Sequence, residues 1–200
     1  MKNLFNYCTA FALGVACLSC NNGGQEDSAK EAKDSNVAKI DSSASQTVSS
    51  VPVSVSKDDA QFVVEATSGG MMEVQFGQLA QQKGMAKDVK DFGAMMEKDH
   101  TNLGDKLKTV ATSKNITTPT ALSPDQQKEM DDLSKKSGKD FDKAYISMMV
   151  DDHKKDIKAF EAEAKSGSDS DIRAFADSSL HTLKMHLNEA QKCHDMMKKM

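Results

Sequence analysis

The stretch Phe141 to Glu161, "FDKAYISMMVDDHKKDIKAFE", decides the fold. At about 100° per residue, Ile146, Met149, Ile157 and Phe160 form one apolar arc, the pattern of a helix with one face on a core. His153 falls in the middle of that arc, where a core residue would ordinarily stand. From Lys57 to Met200 apolar residues keep recurring at three- and four-residue steps. Strand-like alternation is missing, Trp is absent and aromatics make up 5% of the chain. The domain reads as all-α.

Punctuation brackets this helix and its neighbours. Ser56, with Asp59 three residues later as in a capping box, starts a long helix that stops at Gly84. A second runs from about Met85 to Lys114 and ends at Asn115, with Pro119 beyond. Ser123-Pro124-Asp125-Gln126 places an N-cap serine and a proline at the first helical position, opening a shorter helix that ends near Gly138. The third long helix occupies about Lys139 to Lys165, and "SGSDS" turns the chain into a fourth that runs to the end. The short connections make two antiparallel hairpins. The long connection between them makes a four-helix bundle with one crossover and a short extra helix inside it.

The first twenty residues, "MKNLFNYCTAFALGVACLSC", have a basic start at Lys2, an apolar run too short to span a membrane, and small residues before a cysteine. Leu18-Ser19-Cys20 resembles a bacterial lipobox, with Cys17 a weaker alternative. Residues 1–19 are therefore expected to be a lipoprotein signal peptide and Cys20 the lipidated first residue of the mature chain. Residues 20–56 are rich in Ser, Asn, Lys, Asp and Ala and are expected to be a disordered tether. Residues 57–200 form the bundle domain. With Cys8 and Cys17 removed and Cys20 lipidated, Cys193 is the one remaining thiol, so the mature domain holds together without a disulfide. The expected location is the bacterial cell envelope, on the periplasmic face of the outer membrane.

The chain has five histidines. Two of them close a repeated string, "MMEKDH" (Met95 to His100) and "MMVDDH" (Met148 to His153). On the second helix Val89, Phe92, Met96, Leu103, Leu107 and Val110 define the apolar stripe, and His100 lies at its edge. On the fourth, Ile172, Ala176, Leu183, Leu187 and Ala190 do so, with His186 beside the seam and His181 pointing away. On the first, Phe62, Ala66, Gly70, Gly77 and Ala80 mark a small-residue face that also carries Glu73. Glu73, His100, His153 and His186 all sit near the midpoints of their helices. Mid-helix residues meet at one level whichever way each helix runs, so these four are expected to form one buried cluster. Asp99 and Asp152, each one residue before its histidine, flank it.

From about Lys57 to Gln191 the chain resembles a bacterial family of unknown function, often labelled predicted outer membrane protein and grouped with the ferritin-like superfamily. The matching stretches are "AQFVVEATSGGMMEVQFGQLA", "VKDFGAMMEKDH", "FDKAYISMMVDDHKKDIKAFE" and "IRAFADSSLHTLKMHLNEA". The resemblance implies a helical bundle and an envelope location, and brings no established activity. His181 departs from it, standing where a proline is expected in the last helix.

A di-iron oxidase of the ferritin type needs a Glu from each of two helices and a Glu-x-x-His from each of the other two. Glu97 and His100 supply one such spacing, but Glu97 projects off the apolar stripe. Val150 and Leu183 occupy the matching positions before His153 and His186, which excludes that site. Three readings remain: a metal module in which Glu73, His100, His153 and His186 take zinc, copper or iron, a hydrogen-bonded network of the same residues that fixes helix register, and an adaptor for an envelope partner. In the metal reading Asp99 and Asp152 would hold the spare ring nitrogens. The net charge is −4 with acids and bases interspersed, so no nucleic-acid surface is expected. Nucleophile triads, phosphate loops and zinc-protease motifs are missing from the sequence, and catalysis is not indicated.

Overall fold

The computed structural model describes residues 27–45 and 55–199. They form six helices: α1 (Ser28–Ser45), α2 (Lys57–Lys83), α3 (Lys87–Ser113), α4 (Pro124–Ser134), α5 (Gly138–Ser166) and α6 (Ser170–Lys199), with no strand among the described residues. The signal segment, Cys20 and the ends of the proposed tether lie outside them.

The start and stop residues act largely as their chemistry dictates. The Ser56 hydroxyl accepts the amide of Asp59 and opens α2. Asn115 ends α3 with φ 55°, the left-handed conformation that a short polar side chain tolerates. Ser123 and Gln126 form a full capping box in front of α4, with Pro124 in its first turn. At Ser56 the box is only half made, because the Asp59 carboxylate turns away to accept the amides of Ser168 and Asp169, each at 2.9 Å. Asp142 on α5 does the reverse, accepting the amides of Met85 and Ala86 at 2.9 and 2.8 Å. Each hairpin therefore lends an aspartate to the other's turn.

In the resulting helical bundle α2 packs along α3 and α5 along α6, while α3 also meets α6 and α2 meets α5. The four long helices thus close into a ring. Their core is split into two apolar clusters. One holds Phe76, Phe92, Met96, Tyr145, Ile146, Met149 and Ala190 among others. The other holds Phe62, Val63, Leu107, Phe160, Ile172 and Leu183. On α3 the break falls between Met96 and Leu107, on α5 between Val150 and Phe160, and on α6 between Leu183 and Ala190. The buried histidines occupy those breaks.

The tether expectation is corrected for residues 28–45, which are helical. Asp27 caps α1 by accepting the amides of Ala29 and Lys30. Ala32 and Asn36 are buried one turn apart, and Ile40, one turn further, packs on the second apolar cluster. The decisive residue is Asn36: its amide donates to the Thr117 carbonyl at 2.8 Å and accepts the Thr117 amide at 2.7 Å. Lys39 adds bonds to the Asn115 carbonyl and the Thr117 hydroxyl. A sequence poor in large apolar residues docks here because its polar side chains satisfy the crossover's backbone, a use that composition does not reveal.

Candidate metal centre

All four residues singled out by the helical seams come together. Glu73, His100, His153 and His186 are each no more than 4% exposed. The His100 and His186 rings lie 5.1 Å apart between centroids, His153 and His186 5.3 Å, and His100 and His153 5.6 Å. One ring nitrogen from each of the three can be chosen so that all lie within 4.8 Å of one another. His181 is exposed, as expected from its angle.

Each histidine also has an outward nitrogen fixed by an oxygen. His100 Nδ1 lies 2.8 Å from Glu73 Oε2. His153 Nδ1 lies 2.9 Å from the Met149 carbonyl, one turn back on its own helix. His186 Nε2 lies 3.1 Å from Asp99 Oδ2. The Met149 carbonyl can only accept, and Asp99 and Glu73 accept when ionised; in that state each outward nitrogen carries the N–H of a neutral imidazole. His100 Nε2, His153 Nε2 and His186 Nδ1 are then left with lone pairs. His100 Nε2 has no hydrogen-bond partner, and His153 Nε2 faces His186 Nδ1 at 3.3 Å.

Burial keeps the rings neutral. It pushes the His100 and His153 imidazoles down from 6.5 to about 4, Asp99 opposing the shift at His100 and Glu73 at His153. His186 moves down for the same reason, against its hydrogen bond to Asp99. The acids go the other way. Burial raises Glu73, and raises Asp152 to about 7, with Glu73 and Glu129 adding to the shift at Asp152. Asp156 is raised by burial and then by the nearby charges of Glu73 and Asp152.

Asp99 meets a ring nitrogen as expected. Asp152 does not: its Oδ2 is buried without a hydrogen-bond partner. Glu97 stays outside the cluster, held by Gln78 and Gln81. Two participants escaped the sequence reading. The Met149 carbonyl is backbone and has no residue signature. Asp156 stands one helical turn after Asp152 on the same side of α5, so its spacing was a usable signal. Tyr145, whose buried hydroxyl has no partner, is pushed upward by burial and by Glu73.

A helical bundle with a buried three-histidine cluster able to take a metal ion is the class that this fold and site define. The chain belongs to the family described as "Domain of unknown function (DUF4142)", which matches residues 42–193 and leaves most of α1 outside. Among solved structures it is similar to "Crystal structure of DUF305 fragment from Deinococcus radiodurans" at 8% identity and a TM-score of 0.62. The likeness covers 73% of this chain and 99% of that one, and is one of fold alone. No curated protein matches the chain. No described helix is long and apolar enough to cross a membrane.

Proposed function

We propose that the chain is a lipid-anchored protein of the bacterial envelope whose ferritin-like four-helix bundle holds one transition-metal ion between His100, His153 and His186. The observation that carries the metal reading is that one ring nitrogen from each of the three histidines comes within 4.8 Å of the others, while each ring also has a nitrogen beside an oxygen of Glu73, Met149 or Asp99. With neutral rings, two lone pairs facing at 3.3 Å repel each other, and no ring proton is free to join them without breaking the bond to Met149 or Asp99. A cation between the rings removes the conflict. Metal-binding histidines commonly donate their other N–H to a carboxylate or a backbone carbonyl, and these three have such partners. Imidazole donors suit zinc, copper or iron. In this reading Glu73 acts on the metal through His100, by holding its Nδ1, so it differs from the direct ligand expected from the helical seam.

The test is metal analysis of purified protein with a zinc titration of wild type against His153→Ala. One equivalent per chain and a raised melting temperature are expected for wild type, with both lost in the variant. Equal uptake and equal melting shifts would leave the cluster as a hydrogen-bonded layer that fixes helix register. The anchor rests on the Leu18-Ser19-Cys20 pattern. Cys20→Ala is expected to abolish lipid labelling and release the protein from membranes, and undiminished labelling would refute that assignment.

A further inference from the structure

A cavity of about 420 Å³ runs from the surface to the histidine layer between α2 and α3. Exposed Thr101 and Asp105 stand at its mouth, and buried Glu73 and His100 at its floor. Leu107, Phe160 and Leu183 supply apolar wall. Among the three histidines, His100 is the one that lines it, and its Nε2 is the buried nitrogen without a partner.

Glycines keep this space open. A Cβ on Gly69, Gly70 or Gly104 would meet nothing within 4 Å, and all three line the cavity. Glycine inside a helix costs about 1 kcal/mol relative to alanine. Close packing does not explain that cost here, whereas an open passage does. Gly77 and Gly93, on the same two helices, bring the backbones into contact. Seven residues on from that contact, the antiparallel run puts Gly70 level with His100.

Three histidines fill three positions of a four-coordinate ion. A closed structural site takes its fourth ligand from the protein, whereas an open one leaves that position to a water or an incoming molecule. Of the neighbouring carboxylate oxygens, Glu73 Oε2 and Asp99 Oδ2 are taken by His100 and His186, and the unpartnered Glu73 Oε1 lies 3.5 Å from His153 Nδ1, on the side of that ring held by the Met149 carbonyl, outside the group of three convergent nitrogens. His100, which carries the unpartnered nitrogen, lines a cavity of about 420 Å³, within the roughly 300–1,000 Å³ of small-molecule sites.

We propose that an ion held by His100, His153 and His186 takes its fourth ligand from outside the chain, as a small molecule with a lone-pair donor on an apolar body, entering between α2 and α3. This rests on the metal-binding reading above. The test uses the full chain loaded with cobalt(II), whose visible spectrum reports its ligands, titrated with imidazole and with 4-phenylimidazole. Both are expected to change the spectrum, and the phenyl compound to bind about tenfold more tightly by burying its ring on the apolar wall. Gly70→Leu and, separately, Gly104→Leu are expected to keep cobalt stoichiometry and helical circular dichroism, and to lose tenfold or more in 4-phenylimidazole affinity. Cobalt bound with a spectrum indifferent to both compounds overturns the open fourth position and leaves the metal reading standing. Unchanged affinity in a folded leucine variant overturns the route. Failure of wild type to bind cobalt overturns both readings.

Discussion

The two hairpins are tied to each other alike and built differently inside. Asp59 from α2 holds the α5–α6 turn, and Asp142 from α5 holds the α2–α3 turn. Between the turns, α5 and α6 carry no glycine beyond Gly138 at the start, and they set His153 against His186. The pair α2–α3 is pinched at one level and open at the next. A Cβ on Gly77 would fall 2.6 Å from the Gly93 carbonyl oxygen, and one on Gly93 would fall 2.7 Å from that of Gly77. At Gly70 and Gly104 a Cβ would meet open space. One hairpin supplies a fixed pair of rings and the other supplies a third ring with a way in.

Ionisation is the largest perturbation available, because acids that interact electrostatically come from both hairpins: buried Glu73 belongs to the first, half-buried Asp152 and Asp156 to the second. In metal-free protein the histidines titrate lower when folded, His100 and His153 at about 4 against 6.5 unfolded. They therefore remove stability as pH falls from 6.5 toward 4. The acids titrate higher when folded, Asp152 at about 7 against 3.8, so they remove stability as pH rises toward 7 and beyond. The two trends oppose below 6.5, the unfolded histidine value, and only the acid trend acts above it. Melting temperature is expected to fall from pH 6.5 to 8 and to fall less in Asp156→Asn. A wild-type melting temperature that climbed over that interval would contradict the raised titration of these acids.

Cutting one reciprocal tie comes next. Asp142→Ala leaves the part-buried amide bonds of Met85 and Ala86 without their acceptor, a loss of about 3 kcal/mol. Asp59→Ala is expected to cost a similar amount at the other turn. Denaturant unfolding of the two variants measures both, and a loss below about 1 kcal/mol in either would mean that the clasp is ornamental there.

The long helices were legible because their signals are local. Ser56, Asn115 and Ser123 act within a few residues of themselves. The cluster was legible through periodicity, since His100, His153 and His186 each interrupt an apolar seam near a helix centre. Helix α1 was missed because Asn36 bonds to Thr117, and a tertiary hydrogen bond leaves no trace in composition. The roles within the cluster were only partly legible. Helical angle places Glu73 on the inner face, but only distances show that its Oε2 stops at His100 Nδ1. The glycines divide in the same way: Gly70 and Gly77 read alike as small residues on one face of α2, and only the position of α3 separates an opening from a contact.

That separation predicts opposite signs for one substitution at two levels. Gly77→Ala forces a methyl group into the Gly93 carbonyl, and neighbouring backbone cannot yield as a flexible side chain would. A loss of about 1–3 kcal/mol is expected, the usual range for an overpacked core. The melting midpoint should fall by several degrees.

Gly70→Ala is the smallest change and the sharpest. Its methyl group enters open space, so packing is neither gained nor lost. What remains is backbone entropy: alanine has fewer unfolded conformations to lose than glycine, and helix propensity favours it by up to about 1 kcal/mol. The variant is expected to melt at or slightly above the wild-type temperature, and Gly104→Ala likewise. A methyl group is also too short to close a cavity of about 420 Å³, so metal uptake should not change. A drop of several degrees in Gly70→Ala, matching that of Gly77→Ala, would mean that α2 and α3 press together at this level too, and the difference between the two levels of the hairpin would disappear.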